Sequence, residues 1–203
     1  MRELRDVWTF LMLSSLPVAV NQIKDRSTQN SLALDLTCAV LFFITFLCFF
    51  RGDQQLLRQE SRAHIALLHR DLLALILQGA LFLWLALACT KPPLFIRTFG
   101  TLMVVNSIWL WHNRRRSIER SENWSSHTVE IRTVSLHCHE AARLWASNNW
   151  ITALALVGLE LAFQFNWISE NIWVASGIFA ISINRGVDLK FTWWFYSASA
   201  AKI

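Results

Sequence analysis

The residues in this chain that invite a search for chemistry are its six histidines, His64, His69, His112, His127, His137 and His139. Carboxylates lie nearby at Glu60, Asp71, Glu130 and Glu140, and His137-Cys138-His139-Glu140 is the densest run. Helical metal sites pair their ligands at i, i+3 or i+4, because only those residues share a face. His64 and His69 are five apart, and His137 and His139 point about 200° apart on a helix. A haem needs facing histidines inside a bundle, and only His112 borders an apolar run. His64, His69, His112, His137 and His139 are therefore weak metal candidates, and no cofactor is expected. Nucleophilic chemistry is no better served. The chain has no Gly-x-Ser-x-Gly elbow and no glycine-rich phosphate loop. Cys38, Cys48, Cys89 and Cys138 form no Cys-x-x-Cys pair, and three of them sit in apolar runs as small hydrophobes. Neither an enzyme nor a structural disulfide is expected.

The elements around these residues belong to a membrane protein. Of 203 residues, 54% are hydrophobic and only 16% charged, with eleven Trp and fourteen Phe. A soluble domain carries about a quarter charged residues. Mean hydropathy is +0.35. Four apolar segments, 31–50, 72–90, 94–112 and 150–168, approach the roughly 20 residues a helix needs to cross a bilayer. Two shorter ones, 7–20 with Pro17 and 172–183, either span, re-enter or lie in the interface. The expected fold class is all-α, a polytopic transmembrane helical bundle with a cytoplasmic helical hairpin.

Charge orients it. If all six segments cross, one side receives Arg2, Arg5, Arg51, Arg58, Arg62, Arg70, Arg114, Arg115, Arg116, Arg120, Arg132, Arg143, Arg185, Lys190 and Lys202, fifteen of the 19 basic residues. The other side receives Lys24, Arg26, Lys91 and Arg97. The positive-inside rule places the two long loops in the cytoplasm. Arg114, Arg115, Arg116 and Arg120 follow Trp109 and Trp111 as a basic stop after an aromatic belt. They read as a topology anchor or partner contact. A nucleic-acid strip would interleave aromatics with its cations on a soluble platform, so no nucleic acid is expected. The sequon Asn123-Trp124-Ser125 falls on the cytoplasmic side and is expected to be unused.

The chain divides as follows. Residues 1–30 form a signal-anchor-like or interfacial segment. Residues 31–112 carry transmembrane segments with a cytoplasmic amphipathic helix at 54–71, entered by a turn at Arg51-Gly52-Asp53. Residues 113–149 make the cytoplasmic hairpin, in which Ile131, Val134, Cys138, Ala142 and Trp145 form one apolar stripe. One helix is expected to run from 127 to 168, capped by Ser125 or Ser126. Residues 150–203 supply the last transmembrane segment or segments and an amphipathic tail.

Polar residues inside the apolar segments are the remaining site candidates: Glu160, Asp35, Gln164, Asn106 and Gln78. Such groups face a partner or a water-filled path, because lipid cannot solvate them. Glu160 stands near the centre of 150–168, with no basic residue expected at its depth, so an ion pair is not expected there. Gly158 and Ala162 form a small-residue pair suited to close helix contact. These features suit a homo-oligomeric channel or pore-type membrane effector whose cytoplasmic helices gate it or sense a partner. The alternative is a non-catalytic accessory subunit of a larger membrane complex, and a distant third is a metalloenzyme using the histidines. Expected partners are membrane lipid, further copies or other membrane subunits, and a cytoplasmic protein at the 113–149 hairpin.

Overall fold

The computed structural model describes residues 2–26, 32–62, 69–122 and 129–200, and these form six helices with no strand among them. They are α1 (Arg2–Arg26), α2 (Leu32–Arg62), α3 (His69–Ala88), α4 (Pro92–Glu122), α5 (Val129–Gln164) and α6 (Glu170–Ala200). The all-α expectation holds. α2, α3, α4 and α6 contain stretches long and apolar enough to cross a membrane: Ala33–Arg51, Asp71–Ala88, Pro92–His112 and Glu170–Phe191.

Successive helices alternate in direction. The α3–α4 and α5–α6 turns lie at one end of the bundle, the turn end. Cys89 in the α3–α4 turn sits beneath the Ala19 carbonyl of α1, at 3.8 Å. At the opposite, basic end, Trp8 of α1 stacks on Phe50 of α2 with ring centroids 5.9 Å apart. α4 and α5 share the most extensive interface, and α6 packs on α5, α2 and α4. α1 packs chiefly against α3, which α2 barely touches.

Helix ends follow local chemistry. Pro92 occupies the first turn of α4, where a missing N–H costs nothing. α5 ends in a Schellman motif, with Trp167 N–H donating to the Ala162 carbonyl and Asn166 N–H to that of Phe163, both at 2.9 Å. Asn166 takes φ 57°, a left-handed conformation that asparagine tolerates better than most residues. The hydroxyl of Ser169 caps α6 by accepting from Ile172 N–H at 3.5 Å.

Several expectations change here. There is no turn at Arg51-Gly52-Asp53, because α2 continues to Arg62. One interior glycine costs only about 1 kcal/mol relative to alanine, and the following Gln-Gln-Leu-Leu-Arg are strong helix formers. Residues 54–62 thus belong to α2 rather than to a separate 54–71 helix, and 63–68 lie outside the described residues. Segment 7–20 is the middle of a 25-residue α1 that keeps Pro17 inside it and buries Trp8, Met12, Ser15 and Ala19. Segment 150–168 is not among the four long, apolar stretches, since α5 includes Asn148, Asn149, Glu160 and Gln164 and stops at Gln164. The shorter 172–183 is the core of a 31-residue α6. Asn184, Arg185 and Asp188 interrupt its apolar run without ending the helix, because they are buried and bonded to one another.

Much of the outer surface of the described residues is apolar as well. Phe10, Val40, Leu73, Trp84, Ile151, Leu154 and Phe179 all point away from the bundle. Two glycines set helix spacing. A Cβ on Gly79 of α3 would stand 2.8 Å from Leu11 Cβ of α1, and one on Gly177 of α6 would stand 2.8 Å from Ile96 Cδ1 of α4. Gly158 does not do this work. It is exposed and nothing lies within 4 Å of where its Cβ would be, so the Gly158/Ala162 pair makes no close contact inside the bundle.

Candidate functional site

The most polar point of the interior is on α6. Positions 184, 185 and 188 share a helical face, which α6 turns toward α2, α4 and α5. Arg185 is 1% exposed and Asp188 4%. Arg185 Nη2 lies 2.7 Å from Asp188 Oδ2. Arg185 Nε donates to Asn184 Oδ1 at 2.9 Å, Nη2 also bonds that oxygen, and Nη2 reaches Met103 Sδ at 3.5 Å. The guanidinium lies 5.5 Å from the Phe49 ring centroid and 5.1 Å from that of Phe99. Those contacts supply some of the stabilisation water would otherwise give the cation.

α5 meets this face with Asn148 and Thr152, one turn apart. Asn148 Nδ2 donates to Asp188 Oδ1 at 2.7 Å and to the Asn184 carbonyl at 3.2 Å. Asn184 Nδ2 donates in return to Thr152 Oγ1 at 2.8 Å and to the Asn148 carbonyl at 3.3 Å. The carboxylate is thus neutralised by a cation and held by an amide. Arg185 Nη1, also buried, has no partner. One residue therefore joins four helices: α6 carries it, α2 and α4 flank it, and α5 holds its counter-ion.

Two further polar contacts lie toward the basic end. Gln78 of α3 donates to Asn106 Oδ1 of α4 at 2.8 Å, leaving Gln78 Oε1 buried without a partner. Trp109 Nε1 donates to Asp71 Oδ1 at 3.1 Å. These tie α3 to α4. Asn149 of α5 is 1% exposed, and its Oδ1 is also unpartnered.

The sequence candidates fall into separate places. Gln78 and Asn106 bond each other in the core. Glu160 is not isolated: Arg97 grips it with two hydrogen bonds, Nε to Oε2 at 3.2 Å and Nη2 to Oε1 at 2.9 Å, and Gln164 adds a third at 2.9 Å. The expectation that no ion pair serves Glu160 is therefore overturned. The reason is depth. α5 ends four residues after Glu160, and Arg97 is five residues into α4, so both lie within about 8 Å of the turn end at 1.5 Å per residue. The pair is partly open, with side chains 51% and 28% exposed, and Arg97 also lies 5.3 Å from the Trp173 ring. Asp35 stands in the first turn of α2, away from both clusters.

Arg185, counted from sequence among the cytoplasmic charges, is buried instead. Arg115 is exposed and lies 5.8 Å from the Trp111 ring on α4. α4 continues helically past Arg114, Arg116 and Arg120, whose side chains, with those of His69 and His137 and the whole of His64, lie outside the described residues. His112 is exposed and His139 partly buried, and no group of three metal-ligating side chains occurs among the described residues. Cys38, Cys48 and Cys89 are free thiols. Burial, partly offset by its own backbone N–H, pushes the Cys89 thiol up to about 11.

Sequence reasoning passed over Asn148, Thr152, Asn184, Arg185 and Asp188. A signal was present: Asn-x-x-x-Thr at 148–152 and Asn-Arg-x-x-Asp at 184–188 each put polar groups on one helical face. Asn148, Asn184, Arg185 and Asp188 fall just beyond the apolar segments 150–168 and 172–183, and Thr152 is an uncharged hydroxyl inside one, so none of them reads as a polar group at depth. No family model, no curated protein and no solved structure matches the chain.

Proposed function

We propose that the chain is a multi-pass membrane protein acting as a channel or pore-type effector, with its basic end in the cytoplasm. The observation that carries this reading is the Arg185–Asp188 pair, buried inside a helix stretch long and apolar enough to cross a bilayer. A charged pair at such a site costs several kcal/mol of desolvation per ion, and well-packed apolar residues serve stability as well or better. Ionisable groups inside membrane segments mark ion paths, proton relays and gates. Arg185 of α6 contacts α2 and α4 and is linked to α5 through Asp188 and Asn148, so a change in its pairing bears on the packing of all four helices. In this reading the helical extensions of α4 and α5 beyond the apolar segments project into the cytoplasm and receive a partner or gating signal.

Ion flux into sealed vesicles carrying the purified protein tests this. The wild type should pass ions, and Arg185→Met and Asp188→Asn should alter the flux while the size of the assembly in detergent is unchanged. A wild type that stays monomeric and passes no ions across a range of voltages refutes the channel.

A second reading, an accessory subunit of a larger membrane complex, has its own support. Gln78–Asn106, Trp109–Asp71 and Arg97–Glu160 each close within one protomer, as interhelical ties do. The apolar exterior then serves lipid and neighbouring subunits. Co-purification with a fixed set of membrane partners favours it.

A further inference from the structure

The four long apolar stretches carry few charges away from their ends. Arg51, Asp71, Glu170 and Lys190 lie within one residue of an end, and Asp35 within two. Arg185 and Asp188 lie deeper and are buried. Among the described residues of these stretches, only Arg97 is both exposed and set well inside, five residues from Pro92. Glu160 stands beside it on α5, so an otherwise apolar exterior carries this charged pair near the turn end, with side chains 51% and 28% exposed. Trp173 of α6, itself buried, lies 5.3 Å from the guanidinium, so the pair sits where α4, α5 and α6 meet.

Neither group is saturated. Glu160 takes one edge of the guanidinium, Nε and Nη2, in two hydrogen bonds. Three of the five N–H groups remain, and Nη1 and Nη2 present two of them as the fork that matches a phosphate. Glu160 Oε1 accepts from Arg97 and from Gln164, whereas Oε2 accepts only from Arg97 Nε among the described residues. The pair therefore offers, side by side, a donor fork for an anion and an acceptor for an ammonium, at no net charge. Lipid tails solvate neither group, and an arginine this near the end of a span reaches for the headgroup layer. Toward the basic end, Thr101, Val105 and Ile108 continue the face of α4 that carries Arg97, none of them buried. The Thr101 hydroxyl bonds the Arg97 carbonyl at 3.0 Å and needs no outside partner. From Arg97 to Ile108 this face runs about 16 Å at 1.5 Å per residue, half the roughly 30 Å hydrocarbon core and so the depth of one leaflet.

We propose that this pair and the face below it hold a phospholipid with a primary-amine headgroup, of the phosphatidylethanolamine type. Its phosphate accepts from the free guanidinium edge, its ammonium donates to Glu160 Oε2, and an acyl chain lies along Thr101, Val105 and Ile108. A choline headgroup has no N–H to donate. A glycerol headgroup brings its phosphate charge toward Glu160 with no cation to offset it. The inference rests on the membrane placement proposed above and not on ion flux.

Native mass spectrometry of the full chain tests it. The protein is reconstituted into vesicles of equal parts phosphatidylethanolamine, phosphatidylcholine and phosphatidylglycerol with the same acyl chains, washed with alkaline carbonate, and released in mild detergent. Wild type should retain phosphatidylethanolamine several-fold over the other two. Arg97→Gln should lose that enrichment. Glu160→Gln, which removes the carboxylate and leaves the guanidinium, should shift retention toward phosphatidylglycerol. Equal retention of the three lipids by wild type, a preference for either of the other two, or undiminished enrichment in Arg97→Gln overturns the proposal. So does a smaller assembly in Arg97→Gln, which would show a protein chain covering the pair. Wild type that washes off the vesicles removes the membrane placement itself, whereas wild type that stays without enrichment removes only the lipid site.

Discussion

Breaking the Arg185–Asp188 pair from one side should be the most damaging single polar change in the bundle. The two groups approach to 2.7 Å, and Asp188 is held at the same distance by Asn148. Taking charge centres about 4 Å apart and an effective dielectric near 20, their attraction is about 4 kcal/mol. Removing one partner also strands the other where water cannot replace it, and truncations of this kind cost about 3–5 kcal/mol. Arg185→Met and Asp188→Leu should each fall in that range. The double variant removes both charges together, leaving Asn148 and Asn184 short of a partner at about 1–3 kcal/mol each. It should therefore be no worse than either single change, with a coupling energy of several kcal/mol rather than additivity. Reversible unfolding in mixed detergent, followed by the fluorescence of the eleven tryptophans, measures all four corners of the cycle. Single variants that each cost under about 1 kcal/mol, or a double variant equal to their sum, would refute the claim that this pair holds four helices together.

Other changes have smaller, ordered effects. Gly79→Ala drives a methyl against Leu11 Cβ, which is fixed to the α1 backbone, and should cost about 1–3 kcal/mol in the same unfolding assay. Gly177→Ala meets Ile96 Cδ1 at 2.8 Å and its Cγ2 and Cγ1 at 3.1 and 3.2 Å. A buried β-branched side chain gives way only in part, so the roughly 1 kcal/mol gain in helix propensity should leave a loss smaller than that at Gly79. The reverse order would show that the α1–α3 contact does not set helix spacing. Glu160→Gln should change stability by less than about 1 kcal/mol, because the pair with Arg97 is partly exposed, and a larger loss would place it in a drier setting. With its thiol pushed to about 11, Cys89 should be almost entirely protonated at pH 8 and react with a disulfide reagent far more slowly than in the unfolded chain. Its rate should climb as pH approaches 11, and fast labelling of the folded protein at pH 8 would contradict its burial.

Composition and apolar runs made the helical class legible, together with three of the four long apolar stretches, near 31–50, 72–90 and 94–112. The errors concern residues whose meaning depends on a partner in another helix. Arg185 and Asp188 read as the start of a cytoplasmic tail because a sequence shows charges but not the amides of Asn148 and Asn184 that accommodate them. Glu160 read as central because its apolar segment was centred there, whereas the Schellman turn at Asn166 ends α5 soon afterwards and brings Arg97 alongside. Gly52 read as a break because a lone glycine beside a charge resembles a turn, although its intrinsic cost is too small to stop a helix with strong formers on both sides. Gln78 and Asn106 are buried and bond each other, but that pairing is a tertiary fact, since position 106 follows position 78 by 28 residues.

The docking of α1 on α3 bears on how the chain is made. α1 leaves the ribosome before α2 and α3, yet it is not among the four described helices long and apolar enough to cross a membrane. The groove that receives Leu11 is formed at Gly79 of α3, which is synthesised only after the whole of α2. α2 offers α1 a smaller surface and gives α3 almost none. If the bundle spans a membrane as proposed, α1 must wait at the membrane surface or beside the insertion machinery until α3 emerges, and then enter with it as a parallel pair. On that placement insertion is not strictly N- to C-terminal, and α3 serves as the chaperone for the helix that precedes it by two. A ribosome-bound chain halted before Gly79 leaves the insertion site should leave α1 extractable by alkaline carbonate, and one halted after α3 is complete should not.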